Sequence, residues 1–260
     1  MDYYKVYFVC FLLGKELIMK YVLLGDSITE GIGSRRLNYV NQLANITANQ
    51  HQFINLAKTG TTVKYFQFIC KEIYSEKPDG LIIMYGSVDA QIRANVARNR
   101  FGICNLIPHR YKIGGMLEQR AFYSKKWYRI IPDCFDNLFR KVLKKVILLT
   151  QGSVQCIDIS TFQNRYEGFI SDLPNLYHKI LVSTVYIDDK YFLRSSAEYE
   201  KFNAVIRDIS TRYNCKYVDL YFPLKKSVEQ FGWEKYYSCD HFHPNVEGYK
   251  FIAELIGKYI

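Results

Sequence analysis

Tyr21-Val22-Leu23-Leu24-Gly25-Asp26-Ser27-Ile28-Thr29-Glu30-Gly31 decides the reading of this 260-residue chain. The unbroken apolar run at its start has the pattern of a strand buried on both faces. A glycine-flanked turn follows, and Ser27 falls where the strand stops and a helix begins. A serine in that place exposes its hydroxyl at the edge of a sheet, among free backbone N–H groups. Acyl transfer needs both a nucleophile and donors for the developing oxyanion.

Working outward, four further apolar runs read as buried parallel strands: Phe53–Leu56, Leu81–Tyr85, Ile180–Tyr186 and Tyr217–Leu220. Helical patterns fall between them, over roughly 36–47, 197–212 and 246–259, the last opened by Pro244-Asn245 with Asn245 as N-cap. Strands alternating with helices predict a doubly wound α/β fold around a central, mainly parallel five-stranded sheet. Residues 19–260 read as a single domain, with no internal repeat and no low-complexity linker.

The stretch near 90–150 is too long for a simple crossover and reads as an insertion. Within it Phe135, Leu138, Phe139, Val142, Leu143 and Val146 recur at helical spacing, with Arg140, Lys141, Lys144 and Lys145 opposite. Such a helix either docks on a membrane or covers a sheet and shows its charges to water. The second is the expectation. Residues 1–18 carry a short apolar run, Val6–Leu13, too short to span a bilayer and without a small-residue cleavage site. They read as an extension from an upstream start codon, an extra edge strand or a weak membrane-surface contact.

Composition narrows the function classes. The net charge of +10 favours anionic partners, but there is no long basic run and no nucleic-acid motif, so nucleic acid is not expected. Seven cysteines show no CxxC and no metal-ligand spacing; free thiols in apolar surroundings point to a reducing, cytoplasmic setting, with no metal and no cofactor.

The second chemical motif is Asp240-His241-Phe242-His243-Pro244-Asn245, directly before the last helix. In a doubly wound sheet the loops at the carboxyl ends of the strands converge on one edge. That brings His243 toward Ser27 as general base, with Asp240 three residues earlier to orient the imidazole. His241 adjoins Asp240 and is the weaker candidate. Asp26 adjoins Ser27 and points away from it, so it braces the turn, as Asp89 braces its own loop. Arg93 falls near the same edge, where it either binds a substrate carboxylate or phosphate or makes a surface ion pair.

Gly25-Asp26-Ser27 near the start and Asp240-x-x-His243-Pro244 near the end resemble the SGNH (GDSL-type) hydrolases. That resemblance implies a flavodoxin-like three-layer α/β/α sandwich and esterase or acyltransferase activity on carboxylic esters. It also implies an oxyanion hole made by the N–H of Ser27, the N–H of Gly60 and an asparagine side chain. Here the third element departs: Gly86-Ser87-Val88-Asp89 has Val88 where the family has asparagine. Ser87 or a backbone N–H then supplies the donor, or the enzyme is slow, or the chain binds without turnover. A Gly-x-Val-Asp version is similar to a branch associated with bacterial surface-polysaccharide genes, which implies an acylated small molecule or glycan as substrate. The expected activity is a serine esterase; the alternatives are O-acyl transfer to a sugar and a silent glycan-binding module.

Overall fold

The computed structural model describes residues 18–34, 37–98, 102, 105, 107–112, 117–121, 123, 126–173, 176 and 178–260. The readings of residues 1–18 fall outside these, apart from the exposed Ile18.

The described residues open with β1 (Lys20–Gly25), a single turn of helix α1 (Ser27–Glu30), α2 (Tyr39–Ile46) and β2 (Gln52–Asn55). Then come α3 (Phe66–Glu76), β3 (Gly80–Met84), β4 (Ile92–Ala94), the long α4 (Trp127–Gln151) and β5 (Ser153–Gln155). They close with α5 (Ile159–Asp172), β6 (His178–Val182), α6 (Ser195–Arg212), β7 (Lys216–Val218), α7 (Tyr221–Phe231) and α8 (Val246–Gly257). Five strands form one all-parallel sheet in the order β2-β1-β3-β6-β7. Helix α2 packs against α8, while α3 packs against α5 and α5 against α6, giving a three-layer α/β/α sandwich. The chain leaves β1 for β2 on one side and returns to β3 on the other. The loops after β1 and β3 therefore open onto the topological switch point, where open α/β sheets bind their ligands.

The strand readings hold best at the centre of the sheet. All five residues of β3, and residues 21–25 of β1, are buried, because helices cover both faces there. The outer strands β2 and β7 are only partly buried, since each is an edge strand with one neighbour. β6 ends at Val182 rather than running to Tyr186. Its continuation is diverted at Ser183, whose Oγ accepts from the Leu220 and Tyr221 N–H groups at 2.8 and 3.2 Å and ties the chain to the α7 turn. Asn245 caps α8 as the sequence suggests, its side chain accepting from Gly248 N–H at 3.0 Å.

The insertion behaves differently from the expectation. β4 and β5 pair antiparallel as a separate two-stranded sheet, and α4 packs on it with a small apolar cluster of Ala94, Ile107, Tyr111, Leu117 and Ile147. The helix does not lay its apolar face on a sheet. Its polar side chains face inward: Asp136 accepts from Tyr111 Oη at 2.7 Å, Arg120 Nη1 at 2.9 Å and Arg140 Nε at 2.7 Å. Lys144 pairs with Glu118 and donates to the Tyr191 carbonyl. Phe135, Leu138, Phe139, Val142 and Val146 are exposed, and only Leu143 of the expected apolar set turns inward. The partners that satisfy the inward charges come from the 107–121 loop, whose residues carry no periodic signal.

Candidate active site

β1 delivers the chain to the sheet edge at Gly25, where a Cβ would lie 2.8 Å from the Met84 carbonyl and closer still to Thr29, so only glycine fits. Asp26 caps α1: its Oδ1 accepts from Ile28 N–H at 2.9 Å. Ser27 is then the first helical residue, and its N–H is one of the orphan donors of the first turn. Two tyrosines fix this turn from below. Tyr39 donates to Thr29 Oγ1 at 3.1 Å, and Tyr249 donates to the Ile32 carbonyl at 2.9 Å.

At the other end of the chain, the loop before α8 brings His243 onto the same edge. His243 Nε2 lies 2.9 Å from Ser27 Oγ, and its Nδ1 lies 2.6 Å from Asp240 Oδ2. The other oxygen of Asp240 accepts the backbone N–H groups of Phe242 and His243 at 3.1 and 3.0 Å, which locks the carboxylate in place. Asp240 is 3 % exposed. His241 points away from this group. It pairs with Asp188 at 2.7 Å and stacks on Trp233 with centroids 4.9 Å apart, so it braces the loop that carries His243.

Gly60 sits in a turn pinned to α1, since Glu30 Oε2 accepts from Thr59 N–H and Oγ1, both at 2.5 Å. Its φ of +74° suits glycine, a Cβ there would meet only open space, and it lines the cleft above Ser27. Among the described residues its N–H has no hydrogen-bond partner. Val88 also lines the cleft, buried and without a side-chain donor, while Ser87 is buried and does not line it; the Ser87 carbonyl accepts from Tyr199 Oη. Asp89 is a brace, accepting from Val63 and Gly86 N–H groups at 2.9 and 3.1 Å. Burial pushes its pKa up to about 7, with the nearby Asp26 adding to the rise, and burial pushes Asp26 up to about 6.

The cleft, about 280 Å³, takes much of its wall from the insertion. Gln91, Arg93, Arg120 and Arg140 reach it, and apart from Arg93 none is marked by a sequence motif. Arg120 and Arg140 are paired with Asp136. Arg93 has no carboxylate partner among the described residues; its Nε donates to Gln91 Oε1 at 2.5 Å, leaving the two terminal nitrogens of the guanidinium for a ligand. Gln91 is 2 % exposed, and is the buried side-chain amide of the cleft. Among the described residues, no group of three or more His, Cys, Asp or Glu side chains could hold a metal ion.

The model of the GDSL-like Lipase/Acylhydrolase family matches residues 23–251. No curated protein matches at a significant level. Among solved structures, a lipase/acylhydrolase from Enterococcus faecalis is similar with a TM-score of 0.60 and 21 % identity, over 94 % of this chain and 95 % of that one. An acetylxylan esterase from Geobacillus stearothermophilus, in the form of a catalytic mutant, is similar with a TM-score of 0.60 and 15 % identity, over 92 % of this chain and 93 % of that one. An alpha/beta hydrolase enzyme from the metagenome of Lake Arreo, Spain, has a TM-score of 0.58 and 16 % identity over the same shares.

Proposed function

Since the chain belongs to the GDSL-like lipase/acylhydrolase family, and is an ester hydrolase of the SGNH type, we propose that Ser27, His243 and Asp240 hydrolyse its ester through an acyl-enzyme. The 2.9 Å contact between His243 Nε2 and Ser27 Oγ carries this reading. Ser27 Oγ attacks the ester carbonyl as His243 Nε2 takes its proton. Asp240 holds the imidazole with Nδ1 protonated and balances the imidazolium charge. The N–H groups of Ser27 and Gly60 donate to the oxyanion. The imidazolium then protonates the departing alcohol. Water, deprotonated in turn by His243, attacks the acyl-enzyme; the carboxylic acid leaves and Ser27 regains its proton.

The substrate we infer is a short acyl ester on a small molecule or a glycan. A cleft of about 280 Å³ is at the small end of ligand sites and suits an acetyl-sized group better than a long chain. A sugar alcohol is supported by the fold shared with the acetylxylan esterase. The unpaired terminal nitrogens of Arg93 favour a substrate that carries a carboxylate or phosphate near the ester. A reducing, cytoplasmic location belongs to the same proposal and is supported by five unpaired cysteines among the described residues.

Val88 favours a second reading, a glycan-binding module without turnover. A fluorophosphonate probe separates the two. Covalent labelling at Ser27, lost in Ser27→Ala, is expected; an unlabelled wild type would leave only the binding module.

A further inference from the structure

The outward face of α4 has the composition of a surface that meets lipid. About half of the large apolar side chains exposed among the described residues lie on this one helix, including Trp127, Ile131, Phe135, Leu138, Val142 and Leu149. They are spaced to form a continuous stripe along 25 residues, on the order of 37 Å of helix. Scattered exposed apolar residues need no explanation, but a contiguous stripe marks an interaction surface.

Charge identifies the occupant. The exposed charged side chains of α4 are Arg129, Lys141 and Lys145, all basic. Its two acids, Asp133 and Asp136, are turned inward and held by Arg120 and Arg140. A second copy of this chain is a poor fit, because a two-fold contact sets the same basic face against itself with no acid to pair. The apolar segment at 6–13 is also a poor fit, since it brings no acidic residue of its own. A helix that shows apolar and basic side chains with an aromatic end, and is too charged to cross a bilayer, suits the headgroup region of an anionic membrane.

We propose that the α4 face Trp127–Leu149 docks in the plane of an anionic lipid surface. The helix lies on the rim of the cleft: Arg140, on its inward face, lines the site, while the apolar stripe faces away. Docking therefore holds the enzyme at a membrane with its cleft beside the lipid rather than sealed by it.

The test uses the full chain with vesicles of phosphatidylglycerol and phosphatidylcholine, compared with phosphatidylcholine alone. Flotation with the anionic vesicles is expected, weakened by salt. Trp127 emission is expected to shift to the blue, a shift that Trp127→Phe removes. Each basic side chain near an anionic leaflet strengthens binding by about fivefold. The double variant Lys141→Glu/Lys145→Glu should therefore bind more than tenfold more weakly, and Phe135→Glu/Leu138→Glu should not float at all. Retained ester hydrolysis and melting temperature show that these exposed changes leave the fold intact. Absence of flotation at low salt overturns the proposal, as does equal binding of the charge-reversed chain. So does a wild-type dimer that the Phe135→Glu/Leu138→Glu variant dissolves, or flotation lost on deleting residues 1–17 alone.

Discussion

His243 meets Ser27 across 216 residues of chain, with Nε2 2.9 Å from Oγ, and Asp240 stands on the far side of the imidazole at 2.6 Å from Nδ1. Only the convergence of the first and last loops on one sheet edge makes this contact, so the proposed nucleophile and its proposed base meet through the whole fold rather than through a local motif.

Asp240→Asn tests the orientation role. The asparagine keeps an oxygen for the Phe242 and His243 N–H groups but turns an amide N–H toward His243 Nδ1. The imidazole then takes the other tautomer, with its proton on Nε2 facing Ser27. Loss of about 10⁴ in kcat is expected with unchanged melting temperature. A loss below tenfold on a short acyl ester would show that Asp240 does not set the tautomer. His241→Ala, by contrast, should lower stability through the lost Trp233 stack and Asp188 pair and leave the proton path in place.

Arg93→Gln tests substrate charge. The guanidinium is oriented by Gln91 and makes no ion pair among the described residues. A charge-assisted hydrogen bond contributes about 1.5–3 kcal/mol, or about 10- to 100-fold. The variant should lose that factor in kcat/KM on an ester bearing a carboxylate or phosphate and hold its value on a neutral one. Equal losses on both esters would assign Arg93 to the scaffold instead.

Much of this was legible in the sequence where backbone chemistry is local. The Gly25–Gly31 turn, the Asp240–Asn245 turn and the Asn245 cap each rest on residue types that few other conformations accept. The central strands were legible because burial on both faces removes polar residues from them. The apolar runs predict equal burial for the outer strands β2 and β7, since an apolar run does not reveal whether a strand has one neighbour or two. Helix α4 takes the opposite orientation to the one its pattern predicts, for a related reason. Amphipathicity separates two faces but does not say which one the protein covers, and here Arg120 and Glu118 in an aperiodic loop satisfy the polar face. The same loop and its neighbours bring Arg120, Arg140 and Gln91 to the cleft, and no spacing marks them.

The two buried acids beside the site predict a pH-dependent stability. Asp26 and Asp89 are raised by burial from 3.8 to about 6 and about 7, so the folded chain holds these protons more tightly than the unfolded chain does. Each favours the fold fully below about pH 4, and that advantage is lost as pH rises through 6 and 7. Asp26→Asn is the clean variant. Its Oδ1 still accepts from Ile28, and the Oδ2 it replaces is buried without a hydrogen-bond partner, while the nearby His243 and Arg93 charges and the Val88 N–H only partly offset the burial. Urea midpoints between pH 4 and 7.5 should fall less steeply for the variant than for the wild type. Parallel profiles would mean that Asp26 is not protonated in the folded chain over this range.

The proposed oxyanion hole makes the last prediction. In it Ser27 and Gly60 offer two N–H donors, the Val88 side chain offers none, and Ser87 does not line the cleft. Gln91 is the buried amide on that wall, and its Oε1 is already engaged by Arg93, which leaves its N–H₂ as a side-chain donor for the missing role. One donor in such a site is worth about 10²–10³ in kcat. Gln91→Leu should therefore lower kcat by that order with KM nearly constant, whereas loss of a merely structural amide would lower the melting temperature with kcat following only the folded fraction. Val88→Asn should restore a donor at the position where the valine stands, raising wild-type kcat at least tenfold and rescuing Gln91→Leu. If Gln91→Leu leaves kcat unchanged and Val88→Asn does not raise it, the two backbone N–H groups suffice for this substrate, and its ester is one that needs less stabilisation of the tetrahedral intermediate.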